Sequence, residues 1–190
     1  MRAMDEVVPG VFHWSAIHPR IHSEVHSHYV ARSRTAIDPL EPPDGLDVER
    51  VVLTNRHHLR HAERLGVPIL CNEAGLYEFS KGPDVQGFAV GAEVAPGITA
   101  HEMGGICPDD TALLIDAGPG VLALADAVIR RDDGTLGFVP DSLWGDPEPE
   151  QETVRRSLRR LVELDFDALV MAHGRPMPSN ARHALAELAA

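Results

Sequence analysis

The chain has 190 residues, of which 44% are apolar and 24% charged. That is enough apolar sequence to bury a core without disulfides or a structural metal, and the composition excludes an intrinsically disordered chain. A formal net charge of −12 argues against a polyanionic partner, because phosphate backbones are gripped by clustered Lys and Arg.

Cys71 and Cys107 form neither a Cys-x-x-Cys pair nor a disulfide framework and are expected to be reduced thiols. Residues 1–10 are acidic and carry Pro9, where a secretory leader has a positive start and an apolar stretch. No apolar run is long enough to span a membrane. The expectation is one domain over residues 1–190, cytoplasmic, with neither nucleic acid nor membrane as a partner. The sequence leaves the oligomeric state open.

Residues 7–14 alternate around Pro9-Gly10 and predict a strand broken by a turn. Strands follow over residues 29–32 and 35–38, the latter ending at Pro39 before the turn-rich stretch 41–45. Residues 49–54, centred on Val51-Val52-Leu53, form a short apolar run typical of a buried strand. Asn55 can then cap a helix that continues through residues 59–65 and stops at Gly66. Further strands are predicted over residues 67–71, 98–103, 112–116 and 121–128, with a hairpin turn at Asp116-Ala117-Gly118-Pro119-Gly120.

Residues 151–164 place Val154, Leu158, Leu161 and Val162 on one helical side, away from Arg155, Arg156, Arg159 and Arg160. We read those arginines as a solvated face. A strand over residues 166–172, a turn at His173-Gly174 and a helix over residues 179–188 close the chain.

Chemistry concentrates at Arg56-His57-His58-Leu59-Arg60-His61, which follows a predicted strand, where a rigid sheet positions loop side chains. On a helical first turn His58 and His61 share a face and could converge on one ion. Asp38 ending an early strand, this histidine-rich junction, residues 104–114, Asp126, and Ala172-His173-Gly174 occur in an order that resembles the metallo-β-lactamase superfamily. The resemblance covers nearly the whole chain. It implies a four-layer α-β-β-α sandwich with a metal site at one edge of two facing sheets, and metal-assisted hydrolysis as the usual activity.

Against that family's His-x-His-x-Asp-His motif, the matching positions are Arg56, His58, Arg60 and His61, so cations replace two ligands. Ile106 stands where a further histidine is expected, while Asp126 and His173 match the later carboxylate and the last histidine. The resemblance thus leaves His58, His61, Asp126 and His173 as metal ligands, with Asp126 and His173 as catalytic groups. Two unit charges 4 Å apart interact by about 4 kcal/mol at an effective dielectric near 20, so an inward Arg60 should abolish metal affinity.

Three readings remain open. If Arg60 turns outward, His61, Asp126 and His173 hold at most one zinc, iron or manganese ion, with help from His58. The chain is then a hydrolase of a small ester, thioester or phosphoester. Otherwise the chain holds no metal and is a non-catalytic member of the fold, in which Arg56 and Arg60 clamp an anionic small molecule or a protein partner. The third reading is a metal-binding protein built on His18, His22, His26 and His28, a cluster whose spacing matches no established ligand motif and which a strand would scatter over two faces. His101 is expected to be structural, and Cys107 a buried thiol without an activating base.

Overall fold

The computed structural model describes residues 4–190. Strands β1 (Asp5–Val8), β2 (Val11–Ile17), β3 (Glu24–Val30), β4 (Thr35–Ile37), β5 (Arg50–Val52), β6 (Ile69–Asn72) and β7 (Val85–Phe88) form one sheet in sequence order. Pairing is antiparallel from β1 to β4 and parallel from β4 to β7.

A second sheet contains β8 (Glu93–Ala95), β9 (Ile98–Glu102), β10 (Thr111–Ile115), β11 (Val121–Leu124) and, returning late in the chain, β14 (Ala168–Met171). Its order is β14-β11-β10-β9-β8, with β14 parallel to β11. β12 (Val128–Arg130) and β13 (Leu136–Phe138) make a short ribbon beside it. Helices α1 (Pro147–Leu161) and α2 (Ala181–Ala189) complete the chain.

Alternation along the strands sorts side chains into three apolar layers. Val11, Val30, Ile37 and Val52 meet Ile98, Leu113, Ile115, Val121 and Val170 between the sheets. On the far side of the second sheet, Leu122, Leu124, Leu169 and Met171 pack against Val154, Leu158 and Leu161 of α1 and Leu185 of α2. On the far side of the first sheet, Ala36, Val51, Leu53 and Cys71 are covered by Ala62 and Phe79. The architecture is therefore the four-layer sandwich, with one outer layer built from short 3₁₀ turns (Arg56–Leu59, Ala62–Leu65 and Glu73–Phe79).

The departures from expectation have local causes. α1 starts at Pro147, with Pro149 also in its first turn, where a missing N–H costs no intrahelical bond. The run 121–128 is two strands, and the break between them presents Asp126. The helix expected through residues 59–65 is two 3₁₀ turns separated at Arg60, whose φ of 42° and ψ of −110° are not helical. The strand expected over 29–32 begins earlier, at Glu24, so His26 and His28 lie on β3.

The β10–β11 turn ends at Gly120, whose φ is +78°. Its carbonyl accepts from the amides of Asp167 and Ala168, and a β-carbon here would collide with the Asp165 carbonyl and Phe166 Cα. Gly120→Ala should thus cost about 2 kcal/mol or more in urea unfolding, by strain plus displacement of β14. An unchanged midpoint would contradict this packing.

Candidate functional site

Parallel strands that share an edge bring their carboxyl ends together, and the chain uses this twice. Asp38 follows β4 while Thr54 and Asn55 follow β5; Asp126 follows β11 while His173 follows β14. Stacking the two sheets puts these four chain segments at one rim.

His58 is the centre of the rim. It lies in the turn Arg56–Leu59, which Asn55 caps by accepting from the His57 amide at 2.9 Å. His58 Nδ1 is 2.9 Å from Asp38 Oδ2, and Nε2 is 3.0 Å from Asp126 Oδ1. Asp38 also accepts from the Thr54 amide at 2.8 Å and from the Thr54 hydroxyl at 2.6 Å. Burial pulls the His58 pKa down, but the Asp126 and Asp38 carboxylates outweigh it and push the value up to about 9. His58 is therefore an imidazolium at neutral pH. Burial works to raise both carboxylates, and their contact with His58 holds each below its ordinary range instead.

Toward solvent, His173 Nε2 lies 3.5 Å from Asp126 Oδ1, and the His173 side chain is 28% exposed, marking the mouth of the cage. Burial lowers the His173 pKa, only partly opposed by Asp126. Inward, Asn55 Nδ2 donates to Asp126 Oδ2 and to Asp110 Oδ1, both at 2.9 Å. Burial and the neighbouring Asp126 charge push Asp110 up to about 7.

The rim unites His58, Asp126 and His173 but not His61. The turn at Arg60 breaks the helical spacing, so His61 faces outward, where its Nδ1 accepts from the Glu41 amide at 3.0 Å. Arg60 does the reverse of swinging out. It is partly buried, and its Nη1 donates to the carbonyls of His26 and Asp38, each at 2.9 Å, within the field of Asp38 and Asp126. Arg56 is tied to Asp109, Nη1 to Oδ1 at 2.5 Å, and its guanidinium lies 5.0 Å from the centroid of the Tyr77 ring.

The donor set does not fit a resident metal. One feature favours an ion: Asp126 Oδ1 is buried and lies between two imidazole nitrogens, 3.0 Å from His58 Nε2 and 3.5 Å from His173 Nε2. Against it, both nitrogens of His58 already face carboxylates, a guanidinium shares the cage, and His61 is elsewhere. Among the described residues no group of three or more His, Cys, Asp or Glu is arranged to hold a metal ion.

An outer cavity of about 410 Å³ adjoins the turn. Arg20, Arg56, Arg60, His18, His57 and His61 line it, with Glu78 as the one acid and Leu40, Leu59 and Phe79 as apolar wall. Arg20 makes no ion pair among the described residues. Burial, together with nearby arginines, lowers the His18 and His61 pKa values, and Arg20, Arg56 and Arg60 are the permanent cations of the lining.

Sequence reasoning passed over three contributors. The sequence marks Asn55 only as a cap and singles out neither Asp110 nor Arg20. The adjacent acids Asp109-Asp110 directly before an apolar strand were the available signal. The other histidines make no described metal set: His26 and His28 join His13, not the turn residues His18 and His22, and His13 Nε2 lies 2.7 Å from His26 Nδ1. Cys71 and Cys107 are free and buried, and burial pushes both thiols up to about 12. His101 stands on β9 with a buried, unpaired Nε2. No helix among the described residues is long and apolar enough to cross a membrane.

Neither a protein-family model nor a curated protein matches the chain. Solved structures are. A metallo-β-lactamase from Pontibacter korlensis is 16% identical, with a TM-score of 0.70 over 100% of this chain and 99% of that one. The metallo-β-lactamase FIM-1 from Pseudomonas aeruginosa, in its mono-zinc form, is 12% identical with a TM-score of 0.71, over 99% and 94% of the two chains. TTHA1623 in a di-iron-bound form is 18% identical with a TM-score of 0.61, over 97% and 96%. At these identities the likeness is one of fold.

The His58 pair yields a pH prediction. A folded-state pKa of about 9 against 6.5 unfolded means that its stabilisation is complete below pH 6.5 and is lost as pH rises through 9. The stability gap between the native chain and His58→Gln should therefore shrink by about 2–3 kcal/mol between pH 6.5 and pH 9.5. Urea titrations across that range would refute the charged state if the gap stays constant.

Proposed function

Taking as premise that the chain has the metallo-β-lactamase fold, we propose that it binds a small anionic molecule, a carboxylate or a phosphate, in the cavity beside the His58 turn. One observation carries this: three guanidinium groups and three imidazoles face a single carboxylate there, in a chain whose net charge is −12. The volume suits a small metabolite, and the walls of Leu40, Leu59 and Phe79 supply the apolar contact such sites need.

Arg56 and Arg60 are positioned by their own partners, so they offer fixed positive faces and not mobile clamps. Arg20 is the cation left to close on the ligand. Nucleic acid and membrane have no part in this reading, and the cytoplasm remains the proposed compartment.

The second reading is hydrolysis of a small ester, thioester or phosphoester with at most one metal. FIM-1 has been solved in a mono-zinc form, and the position of Asp126 Oδ1 between two imidazoles favours this alternative. It ranks second because the rim brings its own cations. Turnover of p-nitrophenyl acetate or p-nitrophenyl phosphate that needs His173 and stops with a chelator would promote it.

Inorganic phosphate or succinate, compared with chloride at equal ionic strength, should raise the melting temperature. Arg20→Ala should weaken that binding by about tenfold or more, the worth of one charge-assisted hydrogen bond. If neither anion shifts the transition, or Arg20→Ala binds as the native chain does, the cavity is not an anion site.

A further inference from the structure

We infer that His58 and Arg60 take the place of a metal ion: an imidazole with a carboxylate at each of its nitrogens and a partly buried guanidinium beside them, both carried by the chain itself, answer Asp38 and Asp126, so the rim is complete without a bound cation.

His58 bridges the two acids with one nitrogen toward each, at 2.9 Å and 3.0 Å, and so ties the first sheet's edge to the second's. Arg60 makes no ion pair with either acid; its guanidinium donates to the His26 and Asp38 backbone carbonyls, near enough for the charges of Asp38 and Asp126 to act on it. Two positive groups stand against two negative ones.

The backbone shows that this placement is imposed. Arg60 has a φ of 42°, a region that residues with a β-carbon avoid. Such a conformation persists where the surroundings over-determine it, and here it turns the guanidinium inward while throwing His61 outward. A straight helical turn would have produced the opposite result. A divalent ion set between His58 Nε2, Asp126 Oδ1 and His173 Nε2 would meet a fixed guanidinium and an imidazole whose nitrogens are both engaged. The positive charge it would supply is already there.

The test compares three tag-free chains in chloride buffer: native, Arg60→Met, and Arg60→Met with Asp126→Asn. Each is melted with a chelator and with added zinc or manganese chloride, and its metal content is measured after dialysis. The native chain should carry no stoichiometric metal and melt at the same temperature in every condition.

Arg60→Met should melt lower by at least about 5 °C. Zinc or manganese should restore part of that loss, and so should Asp126→Asn, which removes the unbalanced acid. Neither repairs the two carbonyls that Arg60 capped, so recovery by either route reports charge and not packing. If Arg60→Met does not fold, the double variant still decides: its folding supports the inference, and its failure to fold overturns it.

A native chain that holds stoichiometric metal, or is stabilised by added metal, overturns the inference and leaves the anion cavity untouched. An Arg60→Met chain indifferent to both metal and Asp126→Asn does the same.

Discussion

A single charged imidazole between two carboxylates is the constraint on which the rim depends. Each ion pair made by His58 gains about 4 kcal/mol of Coulomb attraction at an effective dielectric near 20. Burial of three charged groups takes back much of it. What the arrangement secures is position: Asp38 leaves β4, Asp126 leaves β11, and one ring fixes the gap between the sheets where their edges meet. An apolar replacement of similar volume would fill the space, but it would leave two acids facing each other in it.

The surrounding contacts extend the same logic outward. Asn55 has two amide hydrogens and gives one to Asp126 and one to Asp110. Asp109 accepts from the Arg56 amide at 2.6 Å as well as from its guanidinium, so the turn that carries His58 is anchored by a third acid. Both acids come in close because glycines make room: a β-carbon at Gly75 would overlap the Asp109 carboxylate, and one at Gly105 the Asp110 carboxylate. Acids and donors thus alternate along the rim, each buried charge meeting an opposite charge or an N–H.

Much of the fold was legible because its central strands are uninterrupted apolar runs. Val121–Leu124 and Ala168–Met171 are buried on both faces, as expected of strands covered from both sides. Strands such as β7, with Gln86 and Gly87 at its centre, carry no such signal and were missed. Asp126 and His173 were singled out only through the family resemblance, and the structure sets both at the rim, just past those apolar runs. The choice between His58 and His61 was not legible. It depends on Arg60 adopting a left-handed conformation and on the Pro39 carbonyl taking the His61 amide at 3.0 Å. Good helix formers in residues 59–65 predict helix, and tertiary contacts overrode them.

The acidity of the whole chain and the basicity of the cavity do not conflict. At physiological ionic strength a charge is screened over about 8 Å. The overall −12 therefore governs solubility and slows the approach of anions, while an anion inside the cavity feels chiefly the guanidinium groups that line it. Arg56 and Arg60 are held there by Asp109 and by the Asp38 and His26 carbonyls, contacts that exist only because the turn is docked on the acid rim. The cations that make the outer cavity attractive to an anion are thus set in place by the inner charges that make the rim unattractive to a metal.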